Sequence, residues 1–214
     1  LVIYLSKLEK YVQHWDQRAE STRLHDSAAH GFSQMLASRQ YEASISDASL
    51  PDQEYKYVEW GVVKAQSTTL NGTLITTGMN PCCSLVIIDP ENNRQTLAHI
   101  FPNDNGTKQR NFHTGSSDMH TVIATMMPQS SMGRKKARFY IVEGLLKDKN
   151  TAFDIYAAIH AAGVPQGQVQ FVPSRKRKVP YESVINGENI MVHRGEVLRG
   201  SDDTEIIAKA RFYR

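Results

Sequence analysis

A chain of 214 residues is long enough for one substantial hydrophobic core, or for one domain with a helical extension. Its composition is 40% hydrophobic and 22% charged with a net charge of +3. That lacks the basic excess of a nucleic-acid footprint, and no apolar run approaches the roughly 20 residues of a membrane span. The two cysteines are adjacent, Cys82 and Cys83; this excludes a disulfide framework and favours a reducing compartment with a free thiol.

Residues 1 to about 42 read as helical. Leu1, Leu5, Leu8, Val12, Trp15 and Ala19 recur at helical spacing with polar residues between them, and Phe32, Met35, Leu36 and Arg39 mark a second stretch after a break near Ser21-Thr22. The opening Leu1 to Leu5 is too short and poorly flanked for a secretory signal. The small, polar segment from Ser44 to Asp52 reads as a linker. It divides the chain into an N-terminal helical extension with its linker, residues 1–50, and a main domain, residues 51–214.

From Tyr55 the pattern turns to strands. Tyr57 to Lys64 is β-rich, Leu70 to Leu74 contains an Asn-Gly turn signal, and Leu74 to Thr77 reads as another strand. Leu85 to Asp89 and Gln95 to Phe101 form a predicted hairpin around Pro90-Glu91-Asn92-Asn93, followed by a polar loop over 102–115. A helix starts near Ser116-Ser117-Asp118, which can cap it, and Pro128 ends it. Ala137 to Gly144 is a strand. Asn150 to Ala162 is a helix stopped by Gly163, and Val169 to Val172 is a strand before a basic loop. Two short β-rich pieces follow, Asn189 to Val192 and Ile206 to Tyr213. Strands interleaved with helices predict an α+β or α/β fold.

The chemistry concentrates around Cys82 and Cys83, in the turn Gly78-Met79-Asn80-Pro81 between two strands. A free cysteine taken alone is more often a small buried hydrophobe. A thiol that acts as a nucleophile needs a base or a positive charge nearby, and an imidazole is the usual supplier. His99 lies 17 positions after Cys82, on the partner strand of the predicted hairpin, where the two can face each other. The remaining histidines carry less. His113 and His120 have no acidic or cysteine companion for a zinc site, and His25 and His30 are off the spacing that puts two ligands on one helix face. The run Arg175-Lys176-Arg177-Lys178, flanked by prolines, reads first as a solvated loop. No nucleotide or metal motif is present, so no cofactor is expected.

The segment from Tyr55 to about residue 101 resembles the CheD family of chemoreceptor glutamine deamidases. The resemblance rests on Trp60-Gly61-Val62-Val63, then Thr76, Gly78 and Cys82, then Leu85-Val86-Ile87-Ile88-Asp89-Pro90, then Leu97-Ala98-His99-Ile100-Phe101-Pro102. The position of Asp89-Pro90 sets the register, so Cys82 rather than Cys83 matches the nucleophile. Beyond residue 102 only the order of elements is similar.

The resemblance implies a mixed β-sheet sandwich with flanking helices, an α+β fold related to the catalytic domain of cytotoxic necrotizing factor. It also implies a Cys82-His99-Thr76 triad that converts glutamine side chains of a protein partner to glutamate through a thioester. The setting would be the bacterial cytoplasm, acting on chemoreceptors, or a host cell, for a secreted effector. This chain departs from the family's usual Gly-Leu-Gly-Ser-Cys turn, and Pro81 removes one backbone N–H from it. Three alternatives stand beside this reading. One is a cysteine peptidase or transglutaminase-like transferase using the same residues. Another is a CheD-like binding module without turnover. The third is a fortuitous match with both cysteines in the core.

Overall fold

The computed structural model describes residues 26–36, 55–59, 63–80, 82–102, 115–145, 149–174 and 188–200. Helix α1 covers residues 26–36. Strands β1 (Tyr55–Tyr57), β2 (Val63–Thr69), β3 (Thr73–Met79), β4 (Cys83–Asp89) and β5 (Arg94–Ile100) follow, then helices α2 (Gly115–Met126) and α3 (Ser131–Lys136). Strand β6 (Arg138–Glu143), helix α4 (Lys149–Ala161), and strands β7 (Val169–Val172), β8 (Glu188–His193) and β9 (Glu196–Gly200) complete the order.

The strands form two mixed sheets, one ordered β1-β3-β8-β9 and the other β2-β5-β4-β6-β7. The first contains a parallel β1–β3 pair and the second a parallel β6–β7 pair, and the remaining pairings are antiparallel. This is an α+β arrangement, built in layers. Leu74, Val86, Ile88, Leu97, Tyr140, Val142, Ile190 and Val192 fill one apolar layer shared by both sheets. Leu85, Ile87, Ala98, Phe139 and Ile141, on the other face of the five-stranded sheet, pack under the helices. Strand β4 is therefore buried on both faces along its whole length, which explains its near-continuous run of apolar residues.

Helix α1 belongs to the helix-side core through Ala28, Phe32 and Met35. The Phe32 ring meets Phe153 edge-on at 5.5 Å and Phe171 at 6.2 Å. The predicted helix over residues 1–25, the Ser44 to Asp52 linker, the basic run at 175–178 and the Ile206 to Tyr213 strand lie outside the described residues.

Several predicted elements are corrected. The stretch Tyr57 to Lys64 is not one strand. It ends β1 and begins β2, and these belong to different sheets. The Asn-Gly turn is real, with the amide of Gly72 donating to the Thr69 carbonyl at 3.0 Å. It carries the chain from one sheet to the other rather than closing a hairpin. The short helix α3, capped by the Ser130 hydroxyl on the amide of Gly133, and strand β9 were not predicted. The β4–β5 hairpin matches its expected position within two residues, with Asp89 opposite Arg94 across the Pro90 to Asn93 turn.

Candidate functional site

Strand alternation separates the two cysteines. In β4, Cys83 shares the helix-facing side with Leu85 and Ile87, whereas Cys82 lies in the layer between the sheets with Val86 and Ile88. His99 pairs directly with Ser84, and residues opposite one another in an antiparallel pair share a face. His99, Ser84 and Cys82 therefore belong to the intersheet face. Thr76 reaches the same layer from the other sheet, two positions along β3 from Leu74. Thr76 on β3, His99 on β5 and Cys82, the residue before β4, thus face the same intersheet layer. Cys83 does not join them.

The contact between Thr76 and His99 is direct and buried. Thr76 Oγ1 lies 2.7 Å from His99 Nδ1 and 2.9 Å from the Val58 carbonyl oxygen. A carbonyl can only accept, and the threonine hydroxyl has one proton. That proton goes to Val58, so Thr76 Oγ1 accepts from Nδ1–H of His99. The tautomer follows: Nε2 carries the lone pair. Nε2 is buried and meets no hydrogen-bond partner among the described residues. His99 is an imidazole held by one ring nitrogen, with the other unengaged among the described residues.

Electrostatics in this layer are dominated by loss of water. Thr76 and His99 have no solvent exposure, and Cys82 has 3%. Burial lowers His99 from 6.5 to about 4 and raises the Cys82 thiol from 9.0 to about 12. The charged form of each is disfavoured in a low-dielectric layer. At neutral pH the site therefore holds a neutral thiol and a neutral imidazole, not the thiolate expected from a nearby imidazole. A nucleophilic role for Cys82 would therefore require its thiol to give up a proton in the step itself, rather than resting as a thiolate.

The histidine shift has a stability consequence. Below pH 6.5 the unfolded chain takes up a proton that the buried imidazole refuses until about pH 4. Stability from this source is complete above pH 6.5 and declines as pH falls toward 4, by about 3 kcal/mol in total. Urea unfolding at pH 7 and pH 4.5 should show this loss in the native chain. The loss should be reduced in His99→Gln, which has no titrating group there.

The turn before Cys82 is packed closely against the end of β6. Gly78 has φ +73°, a left-handed conformation that glycine adopts without penalty. The pairing of β3 with β8 shifts register between Thr76 and Met79. The amide of Leu145 donates to the Met79 carbonyl at 2.9 Å. A Cβ on Gly144 would overlap the carbonyl oxygens of Met79 and Cys82. Gly144→Ala should therefore destabilise the fold by about 1–3 kcal/mol through backbone overpacking, read as a lower melting temperature, and should displace Cys82. Gly144 was expected only as the end of a strand, and nothing in its local sequence indicates this contact.

The other singled-out histidines lie elsewhere. His30 receives a hydrogen bond from the Gln34 amide at 2.9 Å on α1, and His120 sits half-buried on α2 with its pKa lowered by burial. His25 and His113 are outside the described residues. Among the described residues no three histidine, cysteine, aspartate or glutamate side chains cluster as metal ligands would. Among the described residues, too, no helix is long and apolar enough to cross a membrane.

No family model matches the chain, and no curated protein matches it. Among solved structures, the hypothetical protein YfiH of Bacillus licheniformis is similar at 12% identity and a TM-score of 0.29, with 46% of this chain and 46% of that chain covered. So slight a likeness carries no weight for fold or function.

Proposed function

We propose that this chain is a cysteine-dependent protein-glutamine deamidase of the CheD-like type. The observation that carries this reading is the commitment of the Thr76 proton to Val58. It leaves His99 as the Nδ1–H tautomer, with Nε2 unengaged in the layer that holds Cys82.

In the reaction, Cys82 Sγ bonds to the carboxamide carbon of a glutamine as its proton passes to His99 Nε2. The imidazolium then protonates the leaving nitrogen, the C–N bond breaks, and ammonia departs from a thioester. Water, losing a proton to Nε2, attacks the thioester; the C–S bond breaks, and glutamate and the thiol are restored. Thr76 holds the ring in orientation throughout, the part played by the third member of a triad. The backbone amide of Cys82 is a candidate donor to the oxyanion, a duty Pro81 cannot share. No cofactor enters this chemistry. The partner is a glutamine-bearing protein, either a chemoreceptor in the bacterial cytoplasm or a host protein met by a secreted effector.

A second reading is favoured by one specific observation. With its thiol pushed up to about 12, Cys82 is a poor nucleophile at rest, as expected of a CheD-like binding module that regulates a partner without turnover. Intact-mass analysis of candidate substrate proteins separates the possibilities. Deamidation adds about 1 Da with ammonia release, while a peptidase fragments the substrate and a transglutaminase-like enzyme crosslinks it. An unchanged mass across chemoreceptor and host-lysate substrates would favour the binding module.

A further inference from the structure

Strand β4 is apolar from Cys83 to Ile88 except at Ser84, which is fully buried and lies directly opposite His99 on β5. A buried hydroxyl needs a partner. Among the described residues Ser84 Oγ finds one in the side chain of Met79, donating to Sδ at 3.3 Å. A thioether is a weak acceptor, so the bond contributes little to stability by itself. Its consequence lies in what it spans. Met79 and Ser84 stand on either side of Cys82, three residues before it and two after. The bond therefore closes a ring of side chain and main chain around the residue that carries the thiol.

Met79 is also held from a second direction. Its carbonyl oxygen accepts the amide of Leu145 and lies against Gly144, which abuts the Cys82 carbonyl as well. The chain on the other side of Met79 is irregular: Gly78 is left-handed, and the pairing with β8 shifts register between Thr76 and Met79. A segment with such an irregularity loses part of its ladder and depends on other contacts to keep its shape. The Leu145 bond fixes Met79 to the end of β6, and the Ser84 bond fixes it to the strand position that faces His99. We propose that Ser84 is a positioning residue for Cys82: acting through Met79, it sets where the turn places the thiol relative to His99. The kinetic consequence rests on the deamidase reading, whereas the tether itself does not. It also accounts for a hydroxyl at a buried position of β4 where an apolar side chain would be the simpler choice.

Ser84→Ala removes the donor, and Met79→Leu removes the acceptor at similar volume. Both variants and their combination are compared with the native full chain by two readings. Amide hydrogen exchange needs no substrate. The Leu145 amide should exchange about two- to tenfold faster in each single variant, relative to the amides of Leu85 to Ile87 in the same protein, the size of one net hydrogen bond. The combined variant should be no faster than either single one, as for two residues acting through one contact. In ammonia release, kcat should fall by a similar factor with KM unchanged. A merely structural serine would raise exchange evenly along β4 and leave kcat as it is. Additive effects in the combined variant, exchange raised evenly across β4 and Leu145, or an unchanged kcat in Ser84→Ala would overturn the positioning role. Met79→Leu decides the matter by the same two readings if Ser84→Ala does not fold. Coupled exchange at Leu145 in a chain that releases no ammonia would uphold the tether and remove the deamidase reading. Ammonia release with uncoupled exchange would do the reverse.

Discussion

Cys82→Ser will lower glutamine deamidation by about 10⁴-fold or more, because the thiolate equivalent that forms the thioester is gone and a serine hydroxyl is a far weaker nucleophile at the same base. Cys83→Ser should retain activity within a few-fold. The contrast follows from the alternation of β4: Cys82 lies in the intersheet layer with His99, and Cys83 lies under the helices with Leu85 and Ile87. Both cysteines are buried, so burying a hydroxyl at either site carries a stability cost of about 1–3 kcal/mol when it finds no partner. Cys82→Ala is the companion variant that avoids this cost and should be as inactive as Cys82→Ser. Ammonia release with matched circular dichroism spectra checks both. Activity that survives Cys82→Ala and disappears in Cys83→Ala would place the nucleophile on the helix-facing side of the strand instead.

Thr76→Val should lower kcat by about 10²–10³-fold, somewhat less than the loss seen when a triad histidine takes the wrong tautomer. The substitution preserves shape but removes the oxygen that accepts from His99 Nδ1 and donates to the Val58 carbonyl. Two buried groups lose their partners, which costs about 1–3 kcal/mol of stability. The ring is then free to adopt the tautomer that protonates Nε2, where it cannot receive the Cys82 proton. Thr76→Ser restores the oxygen and should recover most of the activity. This rescue separates a positioning role from a packing role, since a purely structural threonine would tolerate valine better than serine in an apolar layer. Steady-state kinetics of the three proteins, with the imidazole nitrogen shifts of His99 followed by NMR, measure the effect.

How much of this was legible in the sequence depends on how local the signal is. The β4–β5 hairpin was readable because continuous apolar runs flank a Pro-Asn turn, and the two-residue period of a strand then places Cys82 and His99 on one face. The ends of helices α2 and α4 were readable from Pro128 and from Gly163, the latter with φ +77°, whereas Ser116 to Asp118, expected to cap α2, lie inside it. The Tyr57 to Lys64 stretch misled because β-rich composition continues on both sides of Gly61, a glycine that marks the crossing between sheets but was read as part of one strand.

The pairing of Thr76 with His99 came only from the resemblance, and the element that fixes their geometry is the Val58 carbonyl. Backbone acceptors have no sequence signature. The neutral state of the pair was equally hidden, since it follows from burial between two sheets rather than from residue type. Gly144 reads as the end of a strand, and its contact with the Cys82 turn depends on β6 lying next to β4, a neighbour far away in sequence.

Cys82-dependent hydrolysis of a carboxamide is the central claim, and its most direct measurement is the stoichiometry of ammonia to new glutamate on a glutamine-bearing protein substrate. The expected result is one ammonia per glutamate with the native chain, the same ratio with Cys83→Ser, and neither product with Cys82→Ala. Ammonia at the Cys82→Ala background level across chemoreceptor and host-protein substrates, with Cys82 resistant to alkylation in the folded chain, would contradict it.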